Sequence, residues 1–182
     1  MVQHSRRSGL TKRRMQRRTL LKLGLGATVL LTLVGGGLAM LKPGLVAGRL
    51  SAPARDLFGA LASAILDGSL PAAPPQRDAA IAGHLQRLEN TLGGFPAATQ
   101  AELSQLLALL TSAPGRVALA GLHEDWSDAS VAALQQALQG LRTSSLALRQ
   151  QTYHALRDLT NAAYYADPQS WSLLGYPGPR EI

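Results

Sequence analysis

Cysteine is absent from this chain. That excludes disulfides, thiolate metal sites, cysteine-ligated iron–sulfur clusters and thioether-linked haem. It leaves the compartment open, because an exported protein can simply lack disulfides. Acid is absent from the first 48 residues, which carry nine bases: Arg6, Arg7, Lys12, Arg13, Arg14, Arg17, Arg18, Lys22 and Lys42. Residues 49–182 hold nine arginines and eleven acids, a formal −2, so the net charge of +7 belongs to the leader. The body keeps no basic face with which to neutralise phosphates, and no nucleic-acid partner is expected. Strand signals are missing as well: no segment shows two-residue alternation or β-branched enrichment. Aromatic residues number only eight, and five of them fall in the last thirty residues: Tyr153, Tyr164, Tyr165, Trp171 and Tyr176.

What is present is helical periodicity broken by proline and glycine. A first helix is expected from about Ala54 to Leu66, stopped by Asp67-Gly68 and Pro71. Residues 69–77 carry three prolines and read as a loop. Ile81, Leu85, Leu88 and Leu92 then recur at spacings of four, three and four, one face of a helix ended by Gly93-Gly94. Thr99-Gln100-Ala101-Glu102 has the form of a capping box, followed by the stripe Leu103, Leu106, Leu107 and Leu110 and by the stop Pro114-Gly115. Ser127 or Asp128 can cap a fourth helix with Val131, Leu134, Leu138 and Leu141 inward. Ser144 or Ser145 can open a last one with Leu146, Tyr153, Leu156, Leu159 and Ala163 inward, broken by Asp167-Pro168. The body therefore reads as all-α, a small bundle of four to six helices with an extended C-terminal tail. Its 134 residues suffice for one core. The domain boundary expected from composition separates residues 1–48, a signal or N-terminal membrane-anchor helix, from the body, 49–182.

The leader carries a localising motif. Arg17-Arg18-Thr19-Leu20-Leu21-Lys22 precedes the uncharged run from Leu23 to Leu41. The pattern resembles the twin-arginine (Tat) export signal, a paired arginine followed by one variable residue, two hydrophobic residues and a lysine. Arg17, Arg18, Leu20, Leu21 and Lys22 match it; Gln16 stands where Ser or Thr is usual, and Leu20 where Phe is common. The uncharged run would span roughly 28 Å as a helix, close to the hydrocarbon thickness of a bilayer. Its basic flank orients it N-in. Gly24-x-Gly26 lacks the third glycine and the preceding strand of a dinucleotide fingerprint. Signal peptidase needs small residues before its cut. Val46-Ala47-Gly48 and, less well, Ala52-Pro53-Ala54 offer them. The protein is expected to leave the cytoplasm through the Tat translocase and to be periplasmic and membrane-associated, cleaved or anchored by its N-terminal segment.

The C-terminal segment (residues 164–182) carries the remaining signal. Tyr164 and Tyr165 end the last helix, Pro168 and Trp171 follow, and Gly175-Tyr176-Pro177-Gly178-Pro179 closes the tail. Rings beside a segment that proline keeps extended make an anchor for a partner, because they bury much area at little entropy cost. This tail resembles the C-terminus of the gluconate 2-dehydrogenase subunit 3 (gamma subunit) family. Tyr164, Tyr165, Pro168, Trp171, Gly175, Tyr176, Pro177, Gly178 and Pro179 stand at the matching positions, over about twenty residues, and the twin-arginine leader fits as well. The leucine- and alanine-rich middle agrees in length and class. The resemblance implies a non-catalytic small subunit. Its partner would be a large FAD-dependent oxidoreductase of the glucose–methanol–choline class that oxidises a sugar or polyol, and a cytochrome c subunit commonly takes the electrons. The small subunit would escort the leaderless large one through the Tat pathway. Partner contact would then fall on Tyr164, Tyr165, Trp171, Tyr176, Pro177, Gly178 and Pro179.

Signatures of catalysis are lacking. No nucleophile elbow or phosphate loop occurs. His123-Glu124-Asp125 begins like a zincin motif, but Ser127 stands where its second histidine belongs. His123, Glu124, Asp125 and Asp128 have the residue types to bind a cation, but a solvated acidic loop before a helix is the favoured reading. His84 and His154 lie in leucine-rich helices, where a surface or satisfied core position is the default. No catalytic, metal or cofactor site is expected in this chain; FAD is expected in the partner. The alternative is a stand-alone, membrane-anchored helical binding protein of the periplasm.

Overall fold

The computed structural model describes residues 41–178, leaving aside the side chains of 172–174. The chain divides at Gly35–Gly36, and every described residue belongs to the second unit. The twin-arginine motif, most of the apolar run that follows it and Pro179 lie outside the described residues.

The body is helical, apart from one two-stranded hairpin among the described residues. The hairpin pairs β1 (Leu45–Val46) with β2 (Arg49–Leu50), antiparallel, with Leu45 opposite Leu50 and Val46 opposite Arg49. Its two-residue loop holds Ala47 at φ 48° and Gly48 at φ 76°, the left-handed pair of a tight hairpin turn. Five helices of three turns or more follow: α1 (Ala52–Ile65), α2 (Pro74–Gly93), α3 (Ala97–Thr111), α4 (Val131–Arg142) and α5 (Ala147–Tyr165). A short turn (Ala113–Gly115) and a π-helical turn (Arg116–Ala120) join α3 to the loop before α4, and a 3₁₀ helix (Pro168–Leu174) follows α5.

Helix α1 is the axis of the body and packs against each of the other four. Its small and large apolar residues alternate around one wide face: Ala54, Leu57, Phe58, Leu61, Ala62 and Ala64 are buried. Leu88 and Leu92 of α2, Leu107 and Leu110 of α3, Leu134 and Leu138 of α4, and Leu156 of α5 close round it. A smaller apolar cluster sits at the far end of α1, made of Ala62, Leu66, Leu70 and Tyr164. Among the described residues no single helix is long and apolar enough to cross a membrane.

Several boundaries differ from the sequence expectation, each for a local reason. The loop expected over 69–77 is shorter, because Pro74 and Pro75 occupy the first helical positions of α2, where a missing N–H costs nothing. Thr99 and Glu102 do not cap α3. That helix starts at Ala97 after Pro96, with no side-chain cap, and Gln100 Nε2 instead ties back to the Phe95 and Gly93 carbonyls at 2.9 and 3.3 Å. Ser130, rather than Ser127 or Asp128, caps α4 by accepting from Ala133 N–H at 3.2 Å. Leu146 is 61% exposed, not inward; it precedes α5, whose buried stripe runs through Thr152, Leu156, Thr160, Ala163 and Tyr164. The two threonines are satisfied within the helix, donating to Leu148 and Leu156 carbonyls at 2.9 and 2.8 Å.

The hairpin is also a departure, and it moves the start of the body. Leu45 and Leu50 are 8% and 7% exposed and belong to the main core. The helical body therefore includes residues before 49. Gly44 lies so close to α3 that a Cβ there would collide with Leu107 Cβ and come within 2.8 Å of the Ser104 carbonyl. Only glycine permits that approach.

Candidate functional site

Composition and the tail motif converge on the C-terminal end of α5, and the structure gives the expected contact residues from Tyr164 to Gly178 different placements, Pro179 lying outside the described residues. Tyr164 points inward. It is 5% exposed, packs in the smaller apolar cluster, and donates its hydroxyl to the Ser69 carbonyl at 2.7 Å. Burial raises its pKa first, followed by the neighbouring Tyr165. Tyr165 is half-buried, with its ring edge-on to Tyr164 at 5.2 Å.

Beyond α5 the chain folds back as a cap. Asp167 organises the bend. Its carboxylate accepts from Gln169 N–H at 3.0 Å and pairs with Arg87 of α2 at 2.9 Å, while its carbonyl accepts from the Ser170 hydroxyl at 2.7 Å. Arg87 Nε reaches the Ala163 carbonyl at 2.9 Å. One arginine thus holds the end of α5 to α2, satisfying a carbonyl that the helix terminus leaves open. Trp171 is half-buried and donates its indole N–H to the Tyr165 carbonyl at 2.8 Å. Tyr176 N–H donates to the Trp171 carbonyl at 3.1 Å, and the two rings meet edge-on at 5.4 Å. Gly178 is buried against the same indole, where a Cβ would stand 3.4 Å from the ring at a φ of 97°.

The outcome is a division of labour. Tyr164, Trp171 and Gly178 serve the fold, whereas Tyr176 is 48% exposed and Pro177 is exposed beside it. The tail is held by two side-chain hydrogen bonds from large rings and presents a third ring to solvent. A preorganised ring of this kind loses little freedom on binding.

His84 lies next to this end and is wholly buried, with neither ring nitrogen hydrogen-bonded within the described protein. Its ring sits 6.5 Å from that of Tyr164. Burial lowers its pKa from 6.5 to about 4, with Arg87 adding to the shift. It is a core histidine but not a satisfied one, in contrast to the sequence expectation. His154 and His123 are exposed.

The loop from His123 to Asp128 is occupied by the protein itself. Arg116, 6% exposed, pairs with Asp125 and donates to the Leu122 and His123 carbonyls at 3.4 and 3.2 Å. Trp126 is buried and donates its indole N–H to the Leu110 carbonyl at 2.8 Å. Arg116 therefore ties this loop to the π-helical turn, and Trp126 ties it to α3. Sequence reasoning missed both; a lone tryptophan in a polar loop was the available signal. Among the described residues no group of three or more histidine and acidic side chains is arranged to hold a metal.

Two grooves flank α5. One, about 570 Å³, lies between Ser69, Gly83, Arg87 and Asp167; the other, about 420 Å³, between Gln135, Tyr153, Arg157 and Tyr165. No family model, curated protein or solved structure matches the chain.

Proposed function

We propose that this protein is an exported, non-catalytic small subunit that escorts and docks an FAD-dependent sugar or polyol dehydrogenase. The observation that carries the reading is the tail. Tyr176 stands outward, its ring edge-on to an indole that is itself fixed to the end of α5, and Pro177 is exposed beside it. A ring held in place before the partner arrives is the kind of anchor that dominates an interface. The twin-arginine leader supplies the route. A flavoprotein that acquires FAD in the cytoplasm must cross the membrane folded, and a leaderless one can travel bound to a chain that bears the signal. The resemblance of the tail to the gluconate 2-dehydrogenase subunit 3 family joins the two ideas.

Co-purification tests the reading. The full chain, solubilised from its native host, should bring down a flavin-containing protein with a yellow chromophore, and Tyr176→Ala should release it. Retrieval of the chain alone would sink the escort reading. Replacing Arg17 and Arg18 by lysine should hold both partners in the cytoplasm; export that persists would remove the Tat route.

The grooves beside α5 favour the second reading, a stand-alone binding protein of the periplasm. It predicts that the chain purifies without a partner and that its stability rises with a small ligand.

A further inference from the structure

The two stretches whose small residues suit signal peptidase, Val46-Ala47-Gly48 and Ala52-Pro53-Ala54, both lie within the folded body. Signal peptidase reads its substrate as an extended strand, with small side chains at the first and third positions before the cut. Neither stretch has that form. Val46 is paired with Arg49 across a hairpin, and Ala47 and Gly48 are its turn, both at positive φ. Ala52, Pro53 and Ala54 form the first turn of α1, and Ala54 is wholly buried.

Opening the hairpin means undoing a clamp. Gly44 N–H donates to the Ser104 carbonyl at 3.2 Å, and Leu45 N–H donates to Ser104 Oγ at 3.0 Å. Ser51 N–H donates to the Gly44 carbonyl at 2.9 Å, closing the hairpin at its base. Leu45 and Leu50 would leave the core together. Arg49, the residue just after the first candidate cut, is tied to Glu89 at 3.2 Å, and Arg55 reaches the same carboxylate at 2.6 Å. Glu89 is itself buried and shares its carboxylate between the two arginines, so opening the hairpin also removes one of its two partners.

We infer that residues from Gly44 onward stay in the exported protein, and that any cut removing the leader falls before Gly44. The inference rests on the Tat reading, because a body already folded on arrival meets the peptidase with this hairpin closed. The hairpin thereby sets the leader–body junction, earlier than small-residue matching places it. Only Lys42 and Pro43 separate the clamp from the end of the apolar run at Leu41.

The experiment incubates the full chain in detergent with purified signal peptidase and reads the new N-termini by mass spectrometry. A synthetic peptide spanning residues 36–58 serves as the unfolded substrate. The expected result is cutting of the peptide after Gly48, while the full chain over the same time yields no product beginning at Arg49 or Arg55. Gly44→Leu, which drives a side chain into Leu107, should restore cutting after Gly48 in the full chain. If that variant fails to fold, Ser104→Ala, which removes the side-chain bonds between Ser104 Oγ and the Leu45 backbone, should make a product beginning at Arg49 detectable in the full chain. A product beginning at Arg49 or Arg55 from the folded wild-type chain overturns the inference. A peptide that is not cut after Gly48 also overturns it, since the sequence rather than the hairpin would then be the barrier. Failure of the Tat reading shows separately, as a chain that stays in the cytoplasm of cells whatever the peptidase does to it in detergent.

Discussion

The two ends of the helical body are finished in opposite ways. At the N-terminal end, Gly44 to Ser51 are absorbed into the fold by backbone bonds to Ser104 and by burial of Leu45 and Leu50. At the C-terminal end, Trp171 is pinned at one edge and holds Tyr176 in solvent at the other. One end closes on the core, and the other offers surface. A glycine makes the first possible by letting two backbones touch; indole and phenol rings make the second possible because each has an apolar body and one polar atom to anchor it.

The largest expected effect breaks the C-terminal end through acid. His84 is neutral in the folded protein and protonates near pH 4, against 6.5 in the unfolded chain. The unfolded chain therefore binds the extra proton between these values. Stability is fully present above pH 6.5 and falls as pH drops toward 4, by about 3 kcal/mol. Urea unfolding at pH 7 and pH 4 measures it. His84→Leu should flatten the curve and raise stability at pH 7, because two unpartnered nitrogens leave the core. A slope that survives in the variant would assign the acid effect to other groups.

Next comes the opposite end. Gly44→Ala should destabilise the body by about 2 kcal/mol, because the new methyl meets helix backbone, which has no free rotamer to give way. Thermal unfolding reads this effect, and an unchanged midpoint would mean that the hairpin is not clamped. Tyr164→Phe should cost about 1 kcal/mol, the net worth of the hydroxyl bond to Ser69. The smallest effect is the most discriminating. Tyr176→Ala should leave stability within about 0.5 kcal/mol, as for an exposed position, yet weaken any complex by about tenfold or more. A large loss of stability instead would make Tyr176 a structural residue like Trp171.

Much of this was legible in the chain. Leu88, Leu92, Leu107, Leu134, Leu138 and Leu156 fall on the expected stripes and are buried. Helical periodicity is a short-range property, and a stripe of leucines has one way to leave water. The stop at Asp167-Pro168 was legible for the same reason, since proline acts on its own neighbour. The tail as a place of interest was visible in the crowding of aromatic residues. The roles of individual rings were not: adjacent Tyr164 and Tyr165 differ because one meets Ser69 across the fold. The hairpin was invisible for a similar reason. Four strand residues carry no period, and Leu45 is recognised as core only once Ser104 and Leu107 are seen beside it.

By itself the sequence determined the helical class, the main apolar stripes and the separation of a basic N-terminal segment from a slightly acidic remainder, because these follow from local chain chemistry and summed charge. Only the tertiary structure decided where the body begins, which tail rings face inward, and that Arg116 and Trp126 hold the His123–Asp128 loop. Each of those depends on a partner supplied from another part of the fold, and side chains compete for such partners only once the helices have packed.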